Sequence, residues 1–239
     1  MERPTDAGSN RVAIITARGG SKRVPRKNIR SFDGLPIIVR VIDSALDSGL
    51  FDEVMVSTDD AEIAEVAIEA GAAVPFRRRA ATADDHASSS DVLREVLAAY
   101  ASRSRHFSHA CCLYPTAPFI TAEALRTAWQ ELHGGVHDTV FPIVRFPSPV
   151  QRALRKAANG RLERIQPEFE LTRSQDLEPC YYDAGQFYWF EVAAFLRRRT
   201  LLSSNSAGIV VDGTSVHDID DEEDWMVAER KFQWLKMAA

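Results

Sequence analysis

Residues 12–28, VAIITARGGSKRVPRKN, decide the fold. Apolar and β-branched residues run as far as Thr16, and a glycine pair follows at Gly19-Gly20. A run of this kind, closed by a Gly-rich turn, predicts a buried strand that delivers a loop to the end of a parallel sheet. The glycines let the main chain approach a ligand and turn N–H groups inward, while Arg18, Lys22, Arg23, Arg26 and Lys27 supply positive charge. The combination points to a polyphosphate. A P-loop does not account for it, because Gly19-Gly20-Ser21-Lys22 reverses the order that motif needs. Nor does the dinucleotide fingerprint, since Pro25 and Asn28 stand where its helix would begin. In this reading the N–H groups of Gly19, Gly20 and Ser21 hold phosphate oxygens. Arg18 and Lys27 neutralise charge on a leaving pyrophosphate. Lys22, Arg23 and Arg26 are divided between phosphate and solvent.

Downstream the periodicity alternates. Ile37, Ile38, Val41, Ile42, Ala45 and Leu46 recur at helical spacing until Ser48-Gly49. Residues 53–58 (EVMVST) predict a strand, and Asp59-Asp60 opens a helix over 61–70 that Gly71 closes. Strand, helix, strand, helix at this spacing predicts a parallel sheet with crossover helices. Ser88-Ser89-Ser90-Asp91 offers N-caps for a helix over 92–100, HACCLY (109–114) is a strand, and Thr121 opens a helix to about residue 132. DTVFPIV (138–144) is strand-like, though Pro142 argues for an edge or a bulge. From Arg145 short extended pieces with a hairpin turn at Ala158-Asn159-Gly160 replace the helices, so 145–182 reads as an insertion projecting from the sheet. Strands are expected at 184–190 and 208–211, and a closing helix at 221–235 puts Trp225, Ala228, Phe232 and Leu235 on one face. Residues 1–10 read as a loose tail, leaving 11–239 as one domain.

Size and charge bound the function. A chain of 239 residues suits a single α/β domain, and a net charge of −5 makes the basic loop local to an acidic body. That balance argues against a general nucleic-acid binder. No apolar run approaches membrane-spanning length, and the first eleven residues lack the apolar core of a signal peptide. Three cysteines, with Cys111 and Cys112 adjacent on a strand, predict a reduced cytoplasmic protein without metal-ligand spacing. A hydrolase has weak support, because there is no nucleophile elbow.

Three further constellations carry chemistry. In Val216-His217-Asp218-Ile219-Asp220, carboxylates two apart on extended chain point the same way and suit one hard cation completed by phosphate oxygens, such as Mg²⁺. The competing reading makes Asp220 the N-cap of the last helix and 221–224 its acidic first turn. TRSQDLEPCYYDAGQFYW (172–189) gathers Arg173, Gln175, Asp183 and Gln186 among aromatics, a composition suited to a carboxylated sugar. Phe76-Arg77 with Ser88-Ser89, and Tyr114-Pro115-Thr116, fall where open α/β sheets bind ligands, beyond the strand C-termini, and Arg77 or a serine would read a base edge. Arg78 and Arg79 are expected on solvated surface.

ITARGGSKRVPRKN (15–28) resembles the N-terminal signature of the sialic-acid-type cytidylyltransferases. VSTDDAEIAEVA and HDIDDEEDW match further positions of that family, in order and over nearly the whole chain. TRSQDLEPCYYDAGQFYW and YPTAPF are most similar to its pseudaminic acid branch, while Thr16, Pro115 and Tyr182 stand where Pro, Ala and His are frequent. The resemblance implies a Rossmann-like nucleotidyltransferase α/β fold with a mostly parallel central sheet. It also implies that 145–182 serves dimerisation and sugar binding in a homodimer. The implied reaction joins CTP to a nine-carbon 2-keto sugar acid through its anomeric hydroxyl, giving a CMP-sugar and pyrophosphate. Residue by residue, the resemblance implies nucleotide contacts along Ala17, Arg18, Gly19, Gly20, Ser21, Lys27 and Asn28 and at Tyr114. It implies base and ribose contacts at Arg77 and Ser88, metal ligands at Asp218 and Asp220, and sugar contacts at Arg173, Gln175, Asp183 and Gln186. N-acetylneuraminic and legionaminic acids are the alternative substrates. A non-catalytic CTP-binding homologue is the alternative function, and the intact Asp218 and Asp220 argue against it.

Overall fold

In this computed structural model residues 10–84 and 87–238 are described. The chain opens with β1 (Arg11–Thr16), followed after the basic loop by the two-residue strands β2 (Ser31–Phe32) and β3 (Leu35–Pro36). Then come α1 (Ile37–Ser48), β4 (Glu53–Ser57), α2 (Ala61–Glu69), α3 (Ser89–Ala101), β5 (His109–Leu113), α4 (Ala122–Gly134) and β6 (Thr139–Arg145). The hairpin strands β7 (Leu154–Lys156) and β8 (Leu162–Arg164) precede β9 (Tyr181–Asp183), β10 (Phe187–Glu191), α5 (Val192–Arg198), β11 (Ser206–Val210) and α6 (Glu222–Ala238). Local chemistry sets the ends: Asp60 caps α2, Ser88 and Asp91 form a capping box on α3, and Thr121 caps α4.

The main sheet runs β11-β6-β10-β5-β1-β4, with β9 paired to β6. β1 is parallel to both β4 and β5, and β11 is parallel to β6. Ala13 and Ile15 enter one core cluster with α1 and α4, Val12 and Ile14 enter the other with α3, and all four are fully buried. A strand covered on both faces reads as a continuous apolar run, which is what the sequence of β1 shows. The expected parallel α/β core is therefore present, with two antiparallel additions, the first being β9 on β6. β10 lies antiparallel between β5 and β6. Pro142 sits on an interior strand, so the edge reading is corrected. Its carbonyl accepts from Ala184 N–H across the interruption between β9 and β10, where a missing N–H breaks no ladder.

The closing helix buries the apolar face expected of it against the basic loop and β2. Trp225 and Ala228 pack with Val24, Phe32 and Ile219, and Phe32 meets Trp225 and Phe232 edge to face at 5.5 and 5.4 Å between centroids. Burial of one such phenylalanine stabilises by roughly 1.5–3 kcal/mol. Because Val24 belongs to the basic loop and Ile219 to the acidic segment, this cluster ties the two together. In the stretch 145–182, β7 and β8 pair around a turn at Gly160, whose φ of 82° favours glycine. Of the tail expected over 1–10, only Asn10 lies within the described residues. Among those residues no helix is long and apolar enough to cross a membrane.

Candidate active site

Strand order places β1 between β4 and β5, so the winding switches sides at β1 and leaves a crevice beyond the C-terminal strand ends. A cavity of about 520 Å³ lies there. Arg18, Ser21, Lys22, Arg23, Lys27 and Asn28 of the basic loop line it. The loop is shaped from beneath. Val24 is fully buried, Ala17 N–H donates to the Ser57 carbonyl at 3.0 Å, and Asn28 Nδ2 donates to the Arg18 carbonyl at 2.8 Å. Gly19 N–H donates to Asp59 Oδ1 at 2.9 Å, which removes it from the phosphate-binding groups expected. A Cβ at Gly19 would lie 2.6 Å from Asp60 Oδ2, so glycine is required by close approach. Ser21 N–H donates to the Gly19 carbonyl at 3.0 Å, a second correction to the expected amide cradle. Gly20 has no atom within 4 Å of where a side chain would begin. Arg26 turns away from the cavity and pairs with Asp60 at 2.5 Å and with Glu62. Locally Asp59-Asp60 reads only as a helix start, and nothing nearby in sequence announces that both also grip a loop some forty residues earlier.

Asp218 and Asp220 line the same cavity. Ile219 between them is fully buried, so its side chain enters the core and the two carboxylates share the other side of an extended segment. The N-cap of α6 is Asp221, whose Oδ1 accepts from Glu223 and Asp224 N–H at 2.9 and 3.0 Å. Asp224 in turn accepts from the N–H groups of Asp220 and Asp221. The competing assignment of Asp220 as the cap is thereby excluded. Lys27 Nζ donates to the Ile219 carbonyl at 2.6 Å, and Arg23 Nη2 meets Asp220 Oδ1 at 2.6 Å. Burial pushes the Lys27 pKa down, and Asp220 and then Asp218 pull it back. Among the described residues no group of three His, Cys, Asp or Glu could hold a metal by itself. A cation between Asp218 and Asp220 would need ligand oxygens from elsewhere.

Thr16, Val92, Ser89 and Tyr114 also line the cavity, together with Arg78. Two expectations are corrected here. Arg77 donates to the Asp60 carbonyl at 2.6 Å and lines a separate cleft; the cavity arginine is Arg78, buried and donating to Ser57 O at 2.6 Å and Ser57 Oγ at 3.1 Å. Ser88 is held in the α3 cap by Asp91, and Ser89 lines the cavity instead. The sugar-side candidates do not converge within one chain. Arg173 is exposed and paired with Asp176 at 2.7 Å, and Gln175 lines a cleft of about 490 Å³ with Arg145 and Cys180. Asp183 accepts from Tyr188 and from Gly185 N–H, and Gln186 is buried, donating to the Ser215 carbonyl at 2.8 Å.

Comparison with known proteins identifies the family and the fold. A family described as Cytidylyltransferase matches residues 12–201. The chain is 39% identical over 213 residues to the pseudaminic acid cytidylyltransferase of Campylobacter jejuni subsp. jejuni serotype O:2, covering 89% of this chain and 92% of that one. It is 30% identical to the CMP-N,N'-diacetyllegionaminic acid synthase of Legionella pneumophila subsp. pneumophila, over 92% and 94% of the two chains. A solved CMP:2-keto-3-deoxy-manno-octonic acid synthetase complexed with CTP has the same fold, with a TM-score of 0.70 at 18% identity over 95% of this chain and 99% of that one. By sequence signature, by extent of match and by the architecture around β1, this chain belongs to the cytidylyltransferase family.

Proposed function

We propose that the chain transfers CMP from CTP to the anomeric hydroxyl of pseudaminic acid and releases pyrophosphate. The observation that carries this reading is a single cavity lined by both the cationic loop and the carboxylates Asp218 and Asp220. The anomeric oxygen forms a bond to the α-phosphorus while the bond to the bridging oxygen of the pyrophosphate breaks. Such a displacement needs positioning and charge neutralisation more than covalent help. Arg18 and Lys27 face the departing pyrophosphate, and Lys22 and Arg23 extend the same positive wall. Asp218 and Asp220 would hold Mg²⁺, with remaining ligands from phosphate and water; the paired carboxylates beside a phosphate-binding loop fit that ion. When bound, the ion supplies charge neutralisation and eases ionisation of the attacking hydroxyl. The part of the lining formed by Ser89, Val92, Tyr114 and Arg78 would take the base.

In this reading the enzyme is a cytoplasmic homodimer joined through 145–182, a stretch that leaves Leu162, Ile165 and Leu171 65%, 61% and 95% exposed. Arg173, Gln175, Asp183 and Gln186 remain the sugar-side candidates, completed across that interface. The test is a panel of sugar acids with CTP and Mg²⁺, scored by pyrophosphate release. Pseudaminic acid is expected to give the highest kcat/KM. A higher value for legionaminic, N-acetylneuraminic or an eight-carbon acid would reassign the substrate, and CTP binding without turnover on any acid would remove the catalytic reading.

A further inference from the structure

Residues 216–220 carry Asp218 and Asp220, yet they belong to no strand or helix. Among the described residues no pair of main-chain N–H and carbonyl groups includes them. Main-chain groups outside regular structure need other partners, and here side chains from distant elements supply them. Lys27 Nζ of the basic loop donates to the Ile219 carbonyl at 2.6 Å, and Asp224 Oδ2 of α6 accepts from Asp220 N–H at 2.9 Å. Upstream, Gln186 Nε2 donates to the Ser215 carbonyl at 2.8 Å. Lys231 Nζ donates to the carbonyls of Gly213 and Val216 at 2.7 and 2.5 Å. Lys231 lies about two turns beyond Asp224 along α6, so one helix holds both ends of the segment.

A peptide unit is planar, so fixing its carbonyl fixes the direction of the chain on either side. The unit between Ile219 and Asp220 is held at both its oxygen and its nitrogen, which sets the start of the Asp220 side chain. The unit between Val216 and His217 sets the approach to Asp218, and its oxygen is held by Lys231. Val216 and Ile219 turn into separate core clusters, so the chain between them has little freedom once both units are fixed. Lys27 lines the cavity and has a second duty toward phosphate, whereas Lys231 is half-buried outside the lining.

We infer that Lys231 is a positioning residue for the carboxylate pair: by holding the Val216 carbonyl it sets the direction of Asp218 relative to Asp220. The inference rests on the reading of that pair as the Mg²⁺ site. A cation bound by so few protein ligands depends on their separation and aim, because the chain supplies no spare oxygen to compensate. Groups that orient the ligands of a metal without touching it carry much of its affinity for that reason.

Lys231→Met keeps the aliphatic stem and removes the donor, and Lys231→Arg puts a donor back. CTP affinity would be measured by calorimetry without sugar acid, once in EDTA and once in saturating Mg²⁺. The gain in affinity on adding Mg²⁺ reads the carboxylate pair, and Asp218→Ala, which removes one ligand, is the reference that abolishes it. Lys231→Met is expected to lose about tenfold of that gain while its affinity in EDTA stays at the wild-type value. Lys231→Arg is expected to recover most of the loss. A general packing defect weakens binding in both conditions alike and cancels in the ratio. If Lys231→Met does not fold, Lys231→Gln, which keeps a donor without the reach to both carbonyls, takes its place. A full gain in the folded variant, alongside its loss in Asp218→Ala, overturns the proposal. A wild-type protein without the gain, or an Asp218→Ala variant that keeps it, overturns the metal reading instead.

Discussion

The basic loop over 17–28 and the β7–β8 hairpin are both polar excursions from one sheet, and they are held in opposite ways. Long-range contacts fix the loop: Gly19 to Asp59, Arg26 to Asp60, and Lys27 to the Ile219 carbonyl 192 positions away. The hairpin is held locally, by its ladder and by Arg155 paired with Glu163 at 2.7 Å, and all six of its strand residues are exposed. The first therefore has its shape before a ligand arrives, which is the condition for strong electrostatic stabilisation. The second presents apolar side chains that its own chain does not cover.

The contrast breaks most visibly at the carboxylates that face the loop. Asp218→Ala or Asp220→Ala is expected to lower turnover at saturating CTP by 10³-fold or more, on the order of 4 kcal/mol. The melting temperature should hardly move, because Asp221 and Asp224 cap α6 and the two mutated side chains do not. Retained pyrophosphate release would sink the metal assignment. A step smaller is Gly19→Ala. The new methyl would start 2.6 Å from Asp60 Oδ2 and 2.9 Å from Asp60 Cβ, so the loop must lift from the α2 terminus. We expect kcat/KM for CTP to fall about 100-fold, roughly 2.7 kcal/mol, with a smaller loss of stability. Wild-type kinetics in this variant would mean that the loop's ground-state shape is unimportant.

Much of this frame can be read from residues alone, for identifiable reasons. The doubly buried strand β1, the caps at Asp60, Ser88 and Thr121, and the apolar face of α6 are local signals, and each lies where its pattern predicts. The orientation of β10 is not local. Phe187, Tyr188, Trp189 and Phe190 are all buried, so no alternation marks a face and nothing marks direction. The choice among three consecutive arginines follows from one main-chain bond, Arg78 N–H to the Thr58 carbonyl at 2.9 Å, which turns Arg78 inward and its neighbours out. Side-chain facing shifts with a register of one residue, and composition cannot carry that information. The grip of Asp59 and Asp60 on the loop is invisible for the same reason, since it pairs segments brought together only by the sheet.

Asp60 offers a finer test of the pinned loop. The hydrogen bond from Arg26 is the largest cause that holds its carboxyl below the usual range, with further help from the Ile63 and Glu62 N–H groups. A depressed folded pKa gives stability that is fully present above the unfolded value of about 3.9 and lost as pH falls through the folded one. Asp60→Asn keeps an acceptor for the α2 cap and removes the charge. It should cost about 1 kcal/mol in urea melts at pH 7 and converge with wild type once both are measured below the folded pKa. A difference that persists undiminished in acid would assign the loss to packing rather than to the ion pair.

The smallest effect on the chain itself is expected at the hairpin, and there the comparison turns on what does not change. Leu162 and Ile165 are 65% and 61% exposed, so the double substitution Leu162→Asp, Ile165→Asp removes little that the single chain buries. Its unfolding free energy should stay within about 0.5 kcal/mol of wild type when both are monomeric. Association should suffer, because two charges placed in an apolar interface lose its contacts and meet their own copies across a two-fold axis. Sedimentation velocity over a concentration series is expected to find a wild-type dimer and a monomeric variant. Turnover would then show how far the site depends on the partner: if Arg173 and Gln175 act across the interface, the monomer keeps its affinity for CTP and loses the sugar acid. A monomer with an unaltered KM for the acid would confine the site to the pinned loop and the sheet end, and the hairpin would have no part in catalysis.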